Sequence, residues 1–91
     1  MSQAHWQVII HRKAEKILKR LDGDTLERIR RVIRGLANDP RPDGVKKLTG
    51  FDNLYRIRVG DWRVIYAIED DRLIVLVLEI SPRGGAYRDL G

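Results

Sequence analysis

The chain has 91 residues, of which 43% are hydrophobic and 34% charged, enough for one domain that buries a modest core and too few for a second. Its longest apolar run, Leu73 to Leu78, falls far short of a bilayer span, and no charged segment followed by a long apolar one opens the chain, so a cytoplasmic globule away from membranes is expected. The absence of cysteine excludes disulfides and thiolate metal sites, and His5 and His11 are spaced for a strand and a helix start rather than as a ligand pair, so neither metal nor cofactor is expected. The net charge of +5 suggests an acidic partner such as nucleic acid, but it is unevenly distributed. Up to Asp52 there are twelve Lys or Arg against seven acids; from Asn53 onward six arginines balance six acids and there is no lysine, so position carries more information there than the sum.

In chain order, Trp6, Val8 and Ile10 alternate with His5 and Gln7, which predicts a first strand over His5 to Ile10. Ala14, Ile17, Leu18 and Leu21 follow at the spacing of one helix face, with basic and acidic residues on the others, and Asp22-Gly23 closes that helix. A second helix is expected from Asp24 as N-cap, with Glu27 three positions on, burying Leu26, Ile29, Ile33 and Leu36 and ending at Asn38-Asp39-Pro40. Pro40 to Gly50 reads as a loop, and strands are expected over Leu54 to Val59, Trp62 to Ile68 and Arg72 to Ile80, the last apolar on both faces and therefore central. The predicted fold is α+β, of order β-α-α-β-β-β: one domain with a mainly antiparallel four-stranded sheet and an N-terminal helical hairpin packed on one face.

A two-residue turn at Gly60-Asp61 would pair Val59 with Trp62 and Arg58 with Arg63. Like charges directly opposite each other are destabilising, and guanidiniums cannot shed their charge, so the pairing makes most sense beneath an anion. Tyr55, Ile57, Val59, Trp62, Val64 and Tyr66 then share the core face, and Arg56, Arg58 and Arg63 the other. The returning strand would bring Ser81-Pro82-Arg83 beside Arg58 and Arg63, Gly84-Gly85 would let the tail turn so that Tyr87 and Arg88 lie over the same edge, and Glu69, Asp70 and Asp71 would stay at the far end. Trp6, Trp62, Tyr55 and Tyr66 are expected to pack; Arg72 is expected to pair with Glu69; Arg28, Arg30, Arg31 and Arg34 form a solvated face usable for docking, and Lys46-Lys47 is a phosphate-contact signal of the same kind.

These features together resemble the RelE/ParE superfamily of prokaryotic toxin-antitoxin toxins: the helical hairpin after a short strand, Lys47-Leu48 and Gly50 ahead of Leu54 to Val59, the Gly60 to Tyr66 run, and the tail from Arg83 to Arg88. The resemblance implies a RelE-like endoribonuclease that cleaves messenger RNA in the ribosomal A site, or alternatively a ParE-like inhibitor of DNA gyrase on the same fold. It carries the basic site residues onto Arg56, Arg58, Arg63 and Arg83 and the tail tyrosine onto Tyr87. Relatives often have lysines where Arg56 and Arg58 stand, and arginine is unsuited to proton transfer. The implied chemistry is attack of a ribose 2′-hydroxyl on its own 3′-phosphate without a metal. Arg58 and Arg63 would hold the phosphate, Arg83 would neutralise the leaving oxygen, Tyr87 would act as base or base-orienting group, and Arg56, Lys46, Lys47 and Arg88 would contact RNA. The same resemblance implies a cognate antitoxin with an acidic amphipathic segment covering apolar surface around Ile65, Ile74, Leu76 and Leu78, and binding to operator DNA only as the complex with that antitoxin.

Overall fold

A computed structural model describes residues 5–82. Its elements are β1 (Gln7–Ile10), α1 (Arg12–Arg20), α2 (Gly23–Gly35), β2 (Lys46–Lys47), β3 (Leu54–Val59), β4 (Trp62–Glu69), a 3-10 turn at Asp70–Arg72, and β5 (Ile74–Pro82). The α+β class and the mainly antiparallel sheet are as expected, but the sheet has five strands, ordered β1-β5-β4-β3-β2, because Lys46 and Lys47 pair with β3 instead of lying in a loop. β4 is the middle strand, and β5 is interior as expected, between β4 and a parallel β1.

Local chemistry explains the helix boundaries. His11 caps α1, its Nδ1 accepting from the Lys13 N–H at 3.1 Å, and satisfies a donor that the first helical turn leaves unpaired. α2 starts earlier than the expected Asp24: its N-cap is Asp22, whose side chain makes no capping bond. Gly23 at φ +62 opens this helix, a conformation glycine adopts without steric cost. Both helices lay their apolar stripes on one sheet face. Ala14, Leu18, Ile29, Ile33 and Leu36 meet Ile57, Val59, Val64, Tyr66, Ile68, Val75, Val77 and Ile80, and Trp6, Tyr55 and Trp62 pack at the margin. Each fully buried aliphatic side chain of that size contributes about 1.5–3 kcal/mol.

The loop after α2 is tied down by polar contacts that fix where β2 begins. The buried Tyr66 hydroxyl donates to the Pro40 carbonyl at 2.8 Å, and burial pushes its pKa well up. Arg41 grips Asp70 through two hydrogen bonds of 3.2 and 2.9 Å and lies 5.2 Å from the centre of the Tyr55 ring, which stacks on Tyr66. The hydrogen bonds from Arg41 lower the Asp70 pKa. Held at both ends of this contact set, the chain reaches Lys46 directly opposite Arg56. The expected Arg72–Glu69 pair does not form, because Glu69 instead accepts from the Asn53 amide at 2.7 Å.

Candidate functional site

The β3–β4 turn has the predicted register: Val59 faces Trp62 and Arg58 faces Arg63. Gly60 has φ +61 at the first central position, and among the described residues Leu73 is the one non-glycine with positive φ, so Asp61 is negative; this is the type II′ pattern, whose twist suits a hairpin. The face away from the helices can therefore be read as two rows across the strands. One row runs Arg58, Arg63, Ser81; the next runs Lys46, Arg56, Ile65, Glu79. Directly opposed side chains in such rows have Cβ atoms about 4.5–5.5 Å apart, and the rows are separated by about 6.6–6.8 Å, two residues along a strand.

Four cations thus share one patch, with two like-charge pairs directly opposed: Lys46 with Arg56 and Arg58 with Arg63. Arg58 and Lys46 are exposed, whereas Arg56 and Arg63 are half-buried with buried Nε atoms. Lys47 does not join them, since it pairs with Tyr55 and so belongs to the helix-side phase of the sheet. Arg83, Tyr87 and Arg88 lie outside the described residues. Ile65 at the middle of the patch is fully buried, with Leu48 and Leu54, so it is not the uncovered surface expected of it; Ile74, Leu76 and Leu78 are half-buried.

The expectation that carboxylates are held away from the arginine face needs correction. Asp70 and Asp71 do lie at the far end, but Glu79 is in the patch. The cause is a β-bulge: Tyr66 pairs with Val77 and Ile65 with Glu79, leaving Leu78 as the extra residue. Strict alternation from the buried Val75 and Val77 would drive Glu79 into the core; the bulge resets the phase, so that Ile80 is buried and Glu79 and Ser81 emerge beside the arginines. The Ser81 hydroxyl donates to Glu79 Oε2 at 3.3 Å. The sequence carried a signal for this, since a carboxylate in phase with core valines is untenable without a register slip.

Two further features border the patch. Arg28, expected to be solvated, reaches the hairpin tip: a Cβ added to Gly60 would lie 3.2 Å from its Nη1, and with Thr25, Asp61 and Trp62 it lines a cleft of about 150 Å³. On the other side, β1 stops at Ile10 opposite Val77, and a groove of about 800 Å³ runs between the last residues of β5 and the basic flank of α1, including Lys13, Lys16 and Arg20.

Comparison with known proteins agrees with this fold. The family model for the ParE toxin of type II toxin-antitoxin systems matches residues 8–87. The chain belongs to the RelE/ParE toxin superfamily. The RelE1 protein of Methanocaldococcus jannaschii is 36% identical over 92% of this chain and 97% of its own, and the toxin RelE of Mycobacterium tuberculosis is 32% identical over 97% and 93%. The RelE chain of the archaeal RelE–RelB complex from Pyrococcus horikoshii superposes with a TM-score of 0.80 at 32% identity, covering 89% of this chain and 98% of that one.

Proposed function

We propose that this toxin is a ribosome-dependent endoribonuclease that cleaves messenger RNA and so inhibits translation. The observation that carries the reading is the patch of Lys46, Arg56, Arg58 and Arg63, in which two like-charge pairs stand directly opposed on one sheet face, a concentration of positive charge suited to a phosphodiester lying over it. Arg58 and Arg63 hold the phosphate oxygens in this reading and stabilise the charge that develops as the 2′-oxygen attacks phosphorus. Lys46 and Arg56 contact the neighbouring nucleotide. From the tail, Arg83 neutralises the departing 5′-oxygen and Tyr87 serves as base or base-orienting group, with Arg88 and Lys47 as outlying RNA contacts. The positive charge required by the reaction is supplied by guanidiniums, and no metal is invoked. The products are a 2′,3′-cyclic phosphate and a free 5′-hydroxyl.

A cognate antitoxin encoded beside the toxin is part of the same proposal; the RelE of Pyrococcus horikoshii was solved with RelB, and Ile74, Leu76 and Leu78 offer half-buried apolar surface for such a partner. Primer extension on messenger RNA from translating extracts tests the enzyme reading, with an Arg58→Ala plus Arg63→Ala variant alongside. New stops that vanish with the variant are expected. The match to the ParE toxin family keeps a second reading in play, the inhibition of DNA gyrase without chemistry that the resemblance implies for ParE-like members. Intact message together with inhibited supercoiling, unchanged in the double variant, would establish that alternative instead.

A further inference from the structure

The arginine patch can bind and neutralise a phosphate, but guanidiniums cannot accept the proton that the attacking 2′-hydroxyl must lose. We infer that Glu79 is the proton acceptor for that hydroxyl, an assignment that rests on the endoribonuclease reading. Three observations lead to it. The bulge at Leu78 turns Glu79 out of the core phase and into the row of Arg56 and Ile65, on the face that holds Arg58 and Arg63. Among the described residues it is the carboxylate within those two rows; Glu69 shares the face but lies four residues from Ile65 along β4, hydrogen-bonded to Asn53. The Ser81 hydroxyl, opposite Arg63, donates to Glu79 Oε2 and so orients the carboxylate toward the arginine row.

The spacing suits the reaction. A phosphate seated on the Arg58–Arg63 pair holds its attacking 2′-oxygen about 3–3.5 Å from phosphorus, partway toward the row of Ile65 and Glu79 roughly 6.6–6.8 Å away, so a carboxylate reaching up from that row can meet the 2′-hydroxyl proton. The fully buried Ile65 gives that position an apolar floor. In the step, the Glu79 carboxylate takes the 2′-hydroxyl proton, the 2′-oxygen bonds to phosphorus, and the bond from phosphorus to the 5′-oxygen breaks with its electron pair going to that oxygen. Water protonates the 5′-oxygen, and the hydroxide left behind takes up the proton that Glu79 then releases. Tyr87 is left with the orienting part of its role. The charged groups facing Glu79 are Arg56 and Arg63 on the sheet and, across the groove, His11, Lys13, Lys16 and Arg20.

The test uses the full-length toxin, released from its antitoxin complex, in single-turnover cleavage of message on programmed ribosomes, with Glu79→Gln and Glu79→Asp beside wild type. Re-formation of the antitoxin complex and thermal unfolding serve as folding controls. The expected result is a loss of about a hundredfold or more for Glu79→Gln, partial activity for Glu79→Asp, and disappearance from the Gln profile of the acidic limb that a carboxylate base imposes on wild type. A Gln variant cleaving within about threefold of wild type overturns the assignment, as does a slowed variant that keeps the wild-type acidic limb. A wild-type protein that leaves message whole overturns the endoribonuclease reading and this assignment with it, and is distinguishable because the failure is then in wild type.

Discussion

Arg58→Gln is expected to make this protein more stable and less active at once. Gln keeps much of the aliphatic stem and removes one of two charges placed directly opposite each other across the β3–β4 ladder. If the guanidiniums stood as close as opposed Cβ atoms, about 5 Å, the two unit charges would repel by about 0.8 kcal/mol in bulk water, an upper limit that divergence of the long side chains reduces. Arg58 is exposed, so solvent screens the pair and the expected gain belongs in the measured range for cross-strand charge pairs, about 0.2–1 kcal/mol. Taking about 0.5 kcal/mol, and about 4–8 °C per kcal/mol for a domain of this size, thermal unfolding should shift upward by about 2–4 °C. The shift should shrink in 1 M salt, where the screening length falls to about 3 Å. Cleavage of message should fall about a hundredfold, because one donor to the charge developing on the phosphate is gone. The assays are thermal unfolding of antitoxin-free toxin at low and high salt and primer extension with the same preparation. A variant that unfolds below wild type at low salt, or that cleaves as wild type does, would refute the view that this pair is strained for the sake of an anion.

The remaining expectations concern the contacts that hold the patch in place. Tyr66→Phe leaves the buried Pro40 carbonyl without its donor and should cost about 1–3 kcal/mol in urea unfolding, with the loop before Lys46 loosening in hydrogen exchange. Asp70 has a lowered folded-state pKa because Arg41 bonds its charged form, so its contribution is present above the unfolded carboxylate range and is lost as pH falls through the folded value. Wild type should therefore exceed Asp70→Asn in stability at neutral pH and converge with it in acid; an unchanged gap at low pH would contradict this linkage. Deleting Leu78 should be tolerated, because it removes the bulge while keeping Val77 and Ile80 inward and Glu79 and Ser81 outward; a deletion variant that fails to unfold cooperatively in a thermal melt would refute the phase assignment. Leu73→Asn should raise stability by up to about 1 kcal/mol, since Leu73 holds φ +54 and is exposed, with the unfolding midpoint as readout.

Much of this molecule was legible in one dimension because its rules are local. Helix-period apolar spacing located Ala14, Leu18, Ile29 and Ile33, and strand alternation separated the Tyr55, Ile57, Val59 face from the Arg56, Arg58 face. A turn containing glycine at the required position fixed the Arg58–Arg63 register, since a two-residue hairpin leaves no freedom in pairing. Other features depend on contacts between distant segments. Lys46 came opposite Arg56 because Tyr66 and Arg41 anchor the preceding loop, and nothing within Pro40 to Gly50 announces that strand. β1 could join the sheet at either side until its backbone met β5 in parallel. Glu79 reached the arginines because burial of both Val77 and Ile80 required one residue too many between them, and the sheet absorbed the excess as a bulge. Short-range periodicity thus specified which residues form each face, while the cost of burying a carboxylate, settled only when the strands packed, decided which acid joined the cations.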